Sequence, residues 1–580
     1  MTQNISRRSF VKGIVSTAIV ATLPSSLNAS SPISQRQKTQ ELSGKEFFLT
    51  INKTAVNITG KPRIATCVNS MLAGPTLRFK EGERVTLHVK NNLDVSSSIH
   101  WHGLILPTDM DGVPGISFDG IPAGETFTYS FDVVQSGTYW YHSHSGFQEQ
   151  TGVYGSIIID AKEKDPFEYD REYVVALSDY SDEKPTTIYR KLKISADYYN
   201  FKQRTVGDFF SEVSDYGFLE AFKKRSTWNS MRMSDRDISD VTAYTYTFLM
   251  NGENPATRFQ ALFKKGEKIR LRFINSSAMT FFDIRIPNLK MTVVATDGNN
   301  IQPIEVDEFR IGVAETYDVI VEPQDDIAYA IFAQSIDRSG YALGNLTSDV
   351  NVLADVPQLD ERQQLTMTDM GMSMDMKSMK NMSKMESKKE MPGMKKMDKN
   401  PKMSMKKEIP ITPLEEANGF DNTMRAKSPQ YRLDDPGVGL RNNGRKVLTY
   451  ADLRSLVSTK DERYPDREII LRLTGNMDRY MWSINGIKYS DAKDLEFKYG
   501  ERLRITYIND TMMNHPMHLH GMWSDLETGD DNYLVKKHTV VVQPGAKISF
   551  RVNVDAKGSW AYHCHLLYHM TDMFRKVVVV

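Results

Sequence analysis

One strand-forming segment occurs three times along this chain of 580 residues, and no other feature of the sequence restricts the fold so strongly. The three copies are Lys80–Asn92, Lys265–Asn275 and Lys498–Asn509. Each is a Gly-Glu turn followed by alternating apolar and polar residues, which is the period of a half-buried strand. A recurring segment of this kind indicates one structural unit used several times. The sequence therefore predicts β domains of the same kind in series.

A second β segment accompanies each copy of the first. Ile121–Phe131 and Val542–Val552 match each other, and Ile311–Val321 is a degenerate version between them. Short strands and turn signals in this arrangement are typical of Greek-key β-sandwiches. We therefore predict an all-β fold with three such sandwich domains, which cover residues 44–165, 166–355 and 425–580.

Two stretches interrupt the β pattern. Tyr198 to Asp240 is rich in aromatic and charged residues, which predicts an irregular or helical insertion in the second domain. Residues 356–424 contain Met367 to Met405, with 13 methionines, nine lysines and five acidic residues in 39 positions. Because the charges interrupt any apolar face, we expect a flexible linker that contributes nothing to the core.

Residues 1–30 predict an export signal. Arg7 and Arg8 precede a short apolar stretch, Gly13 to Leu23, which is too short to span a membrane. The paired arginines followed by Phe10 resemble a twin-arginine signal, with cleavage near Ala29. We therefore predict a bacterial periplasmic protein that is exported by the twin-arginine translocation machinery.

The composition excludes several other functions. Lys+Arg and Asp+Glu each total 73, so there is no basic excess for nucleic-acid binding. Two cysteines exclude a disulfide-stapled scaffold and a four-cysteine metal site. No run approaches the roughly 20 apolar residues that cross a bilayer. We expect a large monomer that binds no nucleic acid and has no stable membrane span.

Ten of the twelve histidines lie in four short clusters. Two clusters, His100-Trp-His102 and His142-Ser-His144, belong to the first domain. The other two, residues 515–520 and 563–569, belong to the third domain and include Cys564. Alternate residues of a strand point to the same face, so each His-x-His presents two imidazoles together. Imidazole with one thiolate suits copper, iron, zinc or nickel, and a weak thioether in addition indicates a blue-copper centre.

The repeats place these clusters at equivalent positions. The pair 100/102 follows Gly82 by 18 and 20 residues, and the pair 518/520 follows Gly500 by the same numbers. The pairs 142/144 and 563/565 correspond likewise. The second domain has Ile284, Ile286 and Phe332 at the matching places. We therefore predict that eight imidazoles from the first and third domains enclose several metal ions where those domains meet.

The site that includes a thiolate is expected in the third domain alone. Ser143 occupies the place of Cys564, and Ser97 occupies the place of His515. The first domain therefore lacks both of these ligands.

These motifs resemble those of the multicopper oxidases, a family of three cupredoxin domains, over nearly all of the mature chain. The leader, the insertion and the methionine-rich segment are most similar to those of periplasmic copper-resistance oxidases of the copper-resistance protein A type. The resemblance implies four copper ions and assigns their ligands. The type 1 copper takes His515, Cys564 and His569, and the type 2 copper takes His100 and His518. The type 3 pair takes His102, His142, His144, His520, His563 and His565.

The axial ligand of the type 1 copper departs from the family pattern. The family places a methionine ten residues after the cysteine, where this chain has Phe574. Met573 stands one residue earlier, in a Met-Phe-Arg ending that is similar to related proteins with one residue deleted. We assign Met573 as the axial ligand. A copper without it would be three-coordinate, with a raised potential.

Asp111 and Cys564 are the implied catalytic residues. Asp111 matches an acid that assists proton delivery near the trinuclear copper site in related oxidases, and the alternative is a turn aspartate before Gly112. Cys564, between His563 and His565, would join the two copper sites covalently. A second acid of the family is replaced by Met570, which puts the proton route in doubt.

Three further residues are expected to have no ligand role. His88 and His538 are predicted to face solvent, the second because Lys536 and Lys537 precede it. Cys67 is expected to be a buried or idle thiol, because Cys564 is needed as a thiolate.

The methionine-rich segment has two interpretations. Soft thioethers select Cu(I), and spacings of two and three residues bring several within reach of one ion. The alternative is a low-complexity linker. The candidate Cu(I) ligands are Met370, Met372, Met374, Met376, Met379, Met382 and Met385.

Two classes of function remain. The first is an oxidase that takes electrons singly from Cu(I), or from phenols in the manner of a laccase, and reduces O2 to water. The second is a periplasmic protein that sequesters copper with little turnover. The complete set of ten histidines favours the oxidase, because storage needs no bridge between distinct sites.

Overall fold

The computed structural model describes residues 40–200, 202–231, 233–372, 408–419 and 422–580. Its strands form six sheets, two from each of three successive parts of the chain. The prediction of an all-β fold is therefore confirmed. Among the described residues, no helix is long and apolar enough to cross a membrane.

The first part of the chain forms the sheets β1-β4-β9-β8-β6 and β3-β2-β5-β7. Their facing side chains, with Trp101 and Tyr129 among them, make one buried apolar cluster. The strands are β1 (Glu41–Ser43), β2 (Glu46–Val56), β3 (Arg63–Val68), β4 (Gly74–Lys80), β5 (Arg84–Asn91), β6 (His100–His102), β7 (Thr126–Asp132), β8 (Gly137–His142) and β9 (Tyr154–Asp160).

The second part forms the sheets β11-β10-β13-β18-β15-β16 and β12-β20-β19-β14-β17. The strands are β10 (Arg171–Ser181), β11 (Tyr246–Met250), β12 (Phe259–Leu262), β13 (Ile269–Asn275), β14 (Phe282–Arg285), β15 (Met291–Thr296), β16 (Asn299–Val306), β17 (Glu308–Ile311), β18 (Thr316–Val321), β19 (Tyr329–Ser335) and β20 (Tyr341–Thr347).

In the part of the chain that the structure describes, three helices lie between β10 and β11, and two of them fall within the predicted insertion from Tyr198 to Asp240. They are α1 (Pro185–Ile194), α2 (Val206–Tyr216) and α3 (Phe218–Ser230). Helix α2 begins at a capping box in which Thr205 and Asp208 satisfy each other's backbone N–H groups. Gly217, with φ of 82°, ends α2 and starts α3. Trp228 of α3 is buried and anchors the helices to the core.

The third part forms the sheets β23-β22-β25-β30-β27-β28 and β24-β32-β31-β26-β29, and β21 adds to β30. The elements are β21 (Gln430–Tyr431), β22 (Arg467–Asn476), β23 (Met481–Ile484), β24 (Leu495–Phe497), β25 (Arg502–Asn509), β26 (His515–Leu519), β27 (Ser524–Leu526), β28 (Val535–Lys537), β29 (Thr539–Val542), β30 (Ala546–Asn553), β31 (Gly558–Cys564), α4 (Leu567–Met570) and β32 (Phe574–Val579).

The methionine-rich segment starts inside the core. Met370 is fully buried, and Met367 and Met372 pack against the same apolar cluster. The expectation that this segment contributes nothing to the core is therefore wrong for its first residues, whose side chains meet the packed sheets. The export signal and five of the candidate Cu(I) ligands lie outside the described residues, namely Met374, Met376, Met379, Met382 and Met385.

Equivalent strands of the three parts carry the predicted site positions. In the first part β6 pairs with β8 and aligns His100 with His142. In the third part β26 pairs with β31 and aligns His518 with His563. In the second part β14 pairs with β19 and aligns Ile284 with Ala333, both fully buried. The same strand pair thus presents imidazoles twice and an apolar surface once.

Candidate metal centre

Eight histidines from the first and third parts of the chain meet in one buried cluster. One nitrogen each of His102, His142 and His565 lies within 4.8 Å of the others. A second triad, His144, His520 and His563, meets the same criterion. Each triad combines residues from both parts of the chain. Two sets of three imidazoles are thus arranged as ligand sets for two metal ions.

The remaining two histidines, His100 and His518, lie beside the triads. Their ring centroids are 5.7 Å apart. The Nε2 atoms of both are fully buried and have no hydrogen-bond partner among the described residues. The Nε2 atoms of His102 and His144 are in the same condition. Buried nitrogens without partners are costly, so this cluster fits bound metal ions, which would satisfy them.

Outer hydrogen bonds fix how these rings point. His100 donates through Nδ1 to the carbonyl of Asp111 at 2.7 Å, and His520 donates through Nδ1 to its carboxylate at 2.9 Å. His142 Nδ1 lies 2.8 Å from the Glu149 carboxylate and 3.2 Å from the Ser143 carbonyl. A ligand histidine that donates one N–H to such a partner keeps its other nitrogen free for metal. Asp111 is buried, and it contacts a histidine from each of the two parts of the chain.

Burial favours the neutral form of several imidazoles in this cluster. It lowers the pKa of His102, His142 and His520 well below the ordinary value, and neighbouring imidazoles add to the effect. It lowers the pKa of His563 to about 4. Because metals bind the neutral imidazole, the cluster is ready to ligate near neutral pH.

A second, mononuclear cluster contains the one cysteine among the motifs. The Sγ of Cys564 lies 3.5 Å from Nδ1 of His515 and 3.8 Å from Nδ1 of His569. The two Nδ1 atoms are 3.4 Å apart. Burial raises the pKa of the Cys564 thiol, so a thiolate here requires the charge of a metal ion. Two imidazoles and one thiol facing one point fit copper.

The outer nitrogens of this cluster also have partners. His515 Nε2 donates to the Thr511 hydroxyl at 2.7 Å. His569 Nε2 donates to Asp240 at 2.6 Å, and the Tyr480 hydroxyl donates to the same carboxylate at 3.0 Å. Both imidazoles therefore direct an unprotonated Nδ1 towards Cys564.

Met573 immediately precedes the last strand, and Phe574 is the first residue of that strand. Phe574 aligns with His563 and stacks on its ring, with centroids 5.5 Å apart. Met573 is fully buried, and its carbonyl accepts the N–H of Cys564 at 3.0 Å. Since facing residues of an antiparallel pair share one side, Met573 belongs to the side of Cys564. Phe574 belongs to the side of the triads.

His569 is sealed from solvent. Its side chain is 0% exposed, and Trp482 stacks on its ring with centroids 3.8 Å apart. Asp240, at the end of the insertion, and Tyr480 cover its outer nitrogen. Burial raises the pKa of Asp240 to about 7. Neither Asp240 nor Glu149 was singled out from sequence, and neither lies in a motif that could have indicated it.

The prediction for His538 is wrong. Its side chain is 1% exposed and lies against His102, with ring centroids 4.7 Å apart. The preceding Lys537 is itself buried, with Nζ 3.1 Å from Asp297 and 3.0 Å from Glu315. The sequence interpretation treated the lysines before His538 as a sign of exposure. Lys537 is instead buried because two carboxylates neutralise its charge.

Two other expectations hold. His88 lies on β5 with its side chain partly exposed, and its ring nitrogens contact Thr128 and Glu46. Cys67 is buried, and burial raises the pKa of its thiol to about 12. Neither residue takes part in the clusters.

Models of the multicopper oxidase family match residues 50–164, 205–353 and 462–580. With the sheets and the clusters, this places the chain in the multicopper oxidase family. The chain is 54% identical to copper resistance protein A of Escherichia coli, with 99% of each chain covered. It is 53% identical, over all of both chains, to the copper resistance protein A homolog of Pseudomonas syringae pv. tomato.

Solved structures show the same fold. The laccase from Botrytis aclada has a TM-score of 0.62 at 20% identity, with 93% of this chain and 88% of that chain covered. Fet3p, a multicopper oxidase that functions in iron import, has a TM-score of 0.62 at 18% identity, with 93% and 90% covered. The prediction of cupredoxin-like sandwich domains is therefore confirmed.

Proposed function

We propose that this protein is a periplasmic cuprous oxidase that serves copper resistance. One observation carries the proposal. Cys564 belongs to the mononuclear cluster, while its neighbours His563 and His565 belong to different triads of the eight-histidine cluster, here called the multinuclear cluster. An electron that leaves the thiolate therefore has a short covalent path to each triad. Storage of copper needs no such connection.

The ligand sets support four copper ions. His515, Cys564 and His569 would hold a type 1 copper, with Met573 as its axial ligand. His100 and His518 would hold a type 2 copper, and the two triads would hold the type 3 pair. Copper in these sites supplies single-electron transfer and the reduction of O2. The balanced reaction takes four Cu(I), one O2 and four protons to four Cu(II) and two waters.

The surrounding side chains hold the ligands in place. Asp111 fixes His100 and His520 together, and Glu149 fixes His142. The carboxyl group of Asp111 is buried against these histidines, which supports a role in proton delivery to the site of O2 reduction. Burial of these groups excludes water from the ligand nitrogens.

The cover over His569 favours Cu(I) over phenols as the electron donor. A phenol must approach the outer edge of a type 1 histidine, and here Asp240 and Tyr480 occupy that edge. The Asp240 Oδ1 is buried and has no hydrogen-bond partner among the described residues. Because His569 and Asp240 are both fully buried, an aromatic ring has no opening to this edge, whereas an ionised carboxylate attracts a small cation.

Oxygen uptake by the copper-loaded protein tests the proposal. With Cu(I) as donor, we expect turnover with one O2 consumed per four Cu(I). With a phenol of similar potential, we expect a kcat/KM at least about 10-fold lower. Bound copper without oxygen uptake would favour sequestration, and a higher rate with the phenol would favour a laccase-like enzyme.

The methionine-rich segment is proposed to deliver Cu(I). It precedes the third domain, which holds the type 1 ligands, and a tethered thioether cluster raises the local concentration of Cu(I). Because Met367, Met370 and Met372 belong to the core, the test replaces only the ten methionines between 373 and 405 with serine. We expect a higher KM for Cu(I) and an unchanged rate with the phenol. An unchanged KM would mark the segment as a linker or a store.

The location in the periplasm depends on the leader. Residues 1–30 would direct export of the folded protein through the twin-arginine machinery to the periplasm. Replacement of Arg7 and Arg8 with lysine should leave the protein in the cytoplasm, as cell fractionation would detect. Gel filtration of the mature protein should give a monomer.

A further inference from the structure

A carboxylate of the second domain holds a backbone segment of the third domain. Asp297, in the turn between β15 and β16, is fully buried. One of its oxygens accepts the backbone N–H groups of His538 and Thr539, each at 3.1 Å. The other oxygen accepts the backbone N–H of Thr316, in its own domain, at 3.0 Å. Asp297 therefore fixes the backbone between β28 and β29 against the second domain.

This backbone carries the acceptor for one of the proposed type 2 ligands. The carbonyl oxygen of His538 accepts the Nδ1–H of His518 at 2.6 Å. Strands β26 and β29 also align His518 with Thr539. The His518 Nε2 is buried and has no hydrogen-bond partner among the described residues, so it is the nitrogen left for metal. The direction of that nitrogen thus depends on a carbonyl whose position Asp297 holds.

A buried lysine strengthens the same attachment. Lys537 Nζ lies 3.1 Å from the Asp297 carboxylate and 3.0 Å from that of Glu315, and it donates to the Thr296 hydroxyl at 2.9 Å. These three acceptors belong to the second domain, and all four side chains are buried. Separation of buried opposite charges is costly. The position of residues 537–539 is therefore set by a domain that supplies none of the candidate ligands.

We propose that Asp297 is a positioning residue for the type 2 copper, because it holds the His538 carbonyl that orients His518. The inference rests on the proposed function, since it presumes copper at His100 and His518. Loss of the outer contacts that orient a ligand imidazole weakens metal binding by about 10- to 100-fold. Asp297 acts on its ligand through one intervening backbone segment, so the second domain controls a metal site in which it has no ligand.

Asp297→Gly in the copper-loaded full chain tests the proposal. Asp297 has a φ of 46°, which glycine adopts readily, and Lys537 stays paired with Glu315 in the variant. We expect a changed copper hyperfine splitting in the electron paramagnetic resonance spectrum of the type 2 copper. A chelator should remove that copper at least about 10-fold faster. The blue band of the type 1 copper should not change, because its ligands lie in the separate cluster around Cys564.

Two further variants separate positioning from packing. Asp297→Ala removes the same acceptors with a stiffer backbone, and it should show the same changes in spectrum and release rate. Asp318→Ala removes another buried carboxylate of the second domain, which accepts hydrogen bonds from Arg270 and from the Thr138 hydroxyl of the first domain. It should lower the melting temperature of the copper-free protein and leave the type 2 spectrum and release rate as in wild type.

The results distinguish failure of this inference from failure of the proposed function. A wild-type spectrum and release rate in either folded Asp297 variant would overturn the inference and leave the oxidase intact. Equal changes in Asp318→Ala would also overturn it, because a general loss of stability would then explain them. Copper-loaded wild-type protein without a type 2 signal would instead overturn the proposed function.

Discussion

The first and third domains hold the same positions on the same strands, and they fill them differently. Cys564 corresponds to Ser143, and His515 corresponds to Ser97. His569 follows the cysteine by five residues, and Gln148 follows Ser143 by five. In the first domain, both serine hydroxyls donate to the Gln148 side chain, at 2.6 and 3.1 Å.

The candidate copper ligands of the third domain and the hydrogen-bonded serines and glutamine of the first therefore differ in the identity of three side chains. The serines and the glutamine form hydrogen bonds with one another without a metal. The cysteine and the two histidines instead direct ligand atoms towards one point. The comparison teaches that the sandwich supplies the positions, while the identity of three residues decides whether copper binds there.

Cys564→Ser gives the third domain the serine of the first. We expect loss of the blue absorption band and a fall in Cu(I) turnover of more than about 100-fold, because the thiolate and its covalent path are both removed. The multinuclear coppers should remain, as metal analysis and the type 2 resonance signal would show. A variant that stays blue would break the comparison, since Cys67 is buried away from the clusters.

The reverse exchange combines Ser97→His, Ser143→Cys and Gln148→His. We expect about one further copper per molecule and an increase in blue absorbance, because the three ligand types are then present on equivalent strands. Ser143→Cys alone is the control and should add no blue copper. Failure of the triple variant to bind extra copper, while it remains folded, would show that surroundings beyond the three residues matter.

Asp240→Asn removes the carboxylate that contacts His569. No such contact is present among the described residues at Gln148, the equivalent position of the first domain. Burial raises the folded-state pKa of Asp240 to about 7, so at higher pH its ionisation disfavours the folded state. In copper-free protein the variant should gain stability relative to wild type as pH rises from about 4 to about 7, by roughly 2–4 kcal/mol, and hold that gain above pH 7.

Urea unfolding of both proteins at several pH values would measure this difference. The amide oxygen of the introduced asparagine can still accept the hydrogen bonds of His569 and Tyr480, so the comparison isolates the charge. If the difference in unfolding free energy between the two proteins stayed constant from pH 4 to pH 7, the raised pKa of Asp240 would be contradicted.

Gln148→Ala tests the first domain alone and should have the smallest effect. It leaves two buried serine hydroxyls without their shared acceptor, which should cost about 1–2 kcal/mol of unfolding free energy. Copper content and Cu(I) turnover should not change. A lower copper content would mean that the serine triad supports the neighbouring histidines, His142 and His144.

The sequence was sufficient to predict the fold and most of the cluster for a physical reason. The repeats set equal offsets, and strand periodicity converts each offset into a direction, so His100 and His518 could be placed from numbers alone. Asp240 could not be placed in this way. It lies 329 residues from His569 and reaches it from a helical insertion with no counterpart in the other domains.

His538 shows a second limit. The charged residues before it suggested a surface, and the burial of Lys537 depends on Asp297 and Glu315, which belong to the second domain. Such an arrangement is set by how domains pack, and local pattern carries no information about it.

Each ligand triad joins residues that lie more than 350 positions apart, as His142 and His565 do with a separation of 423. Copper in such a triad is a cross-link that closes a very long loop, and the entropy of closing a loop grows with its length. The metal therefore stabilises the contact between the first and third parts of the folded chain. The copper of the triads cannot gain all its ligands before both outer domains have met, and a chelator that removes it should free the two ends of the molecule to separate first.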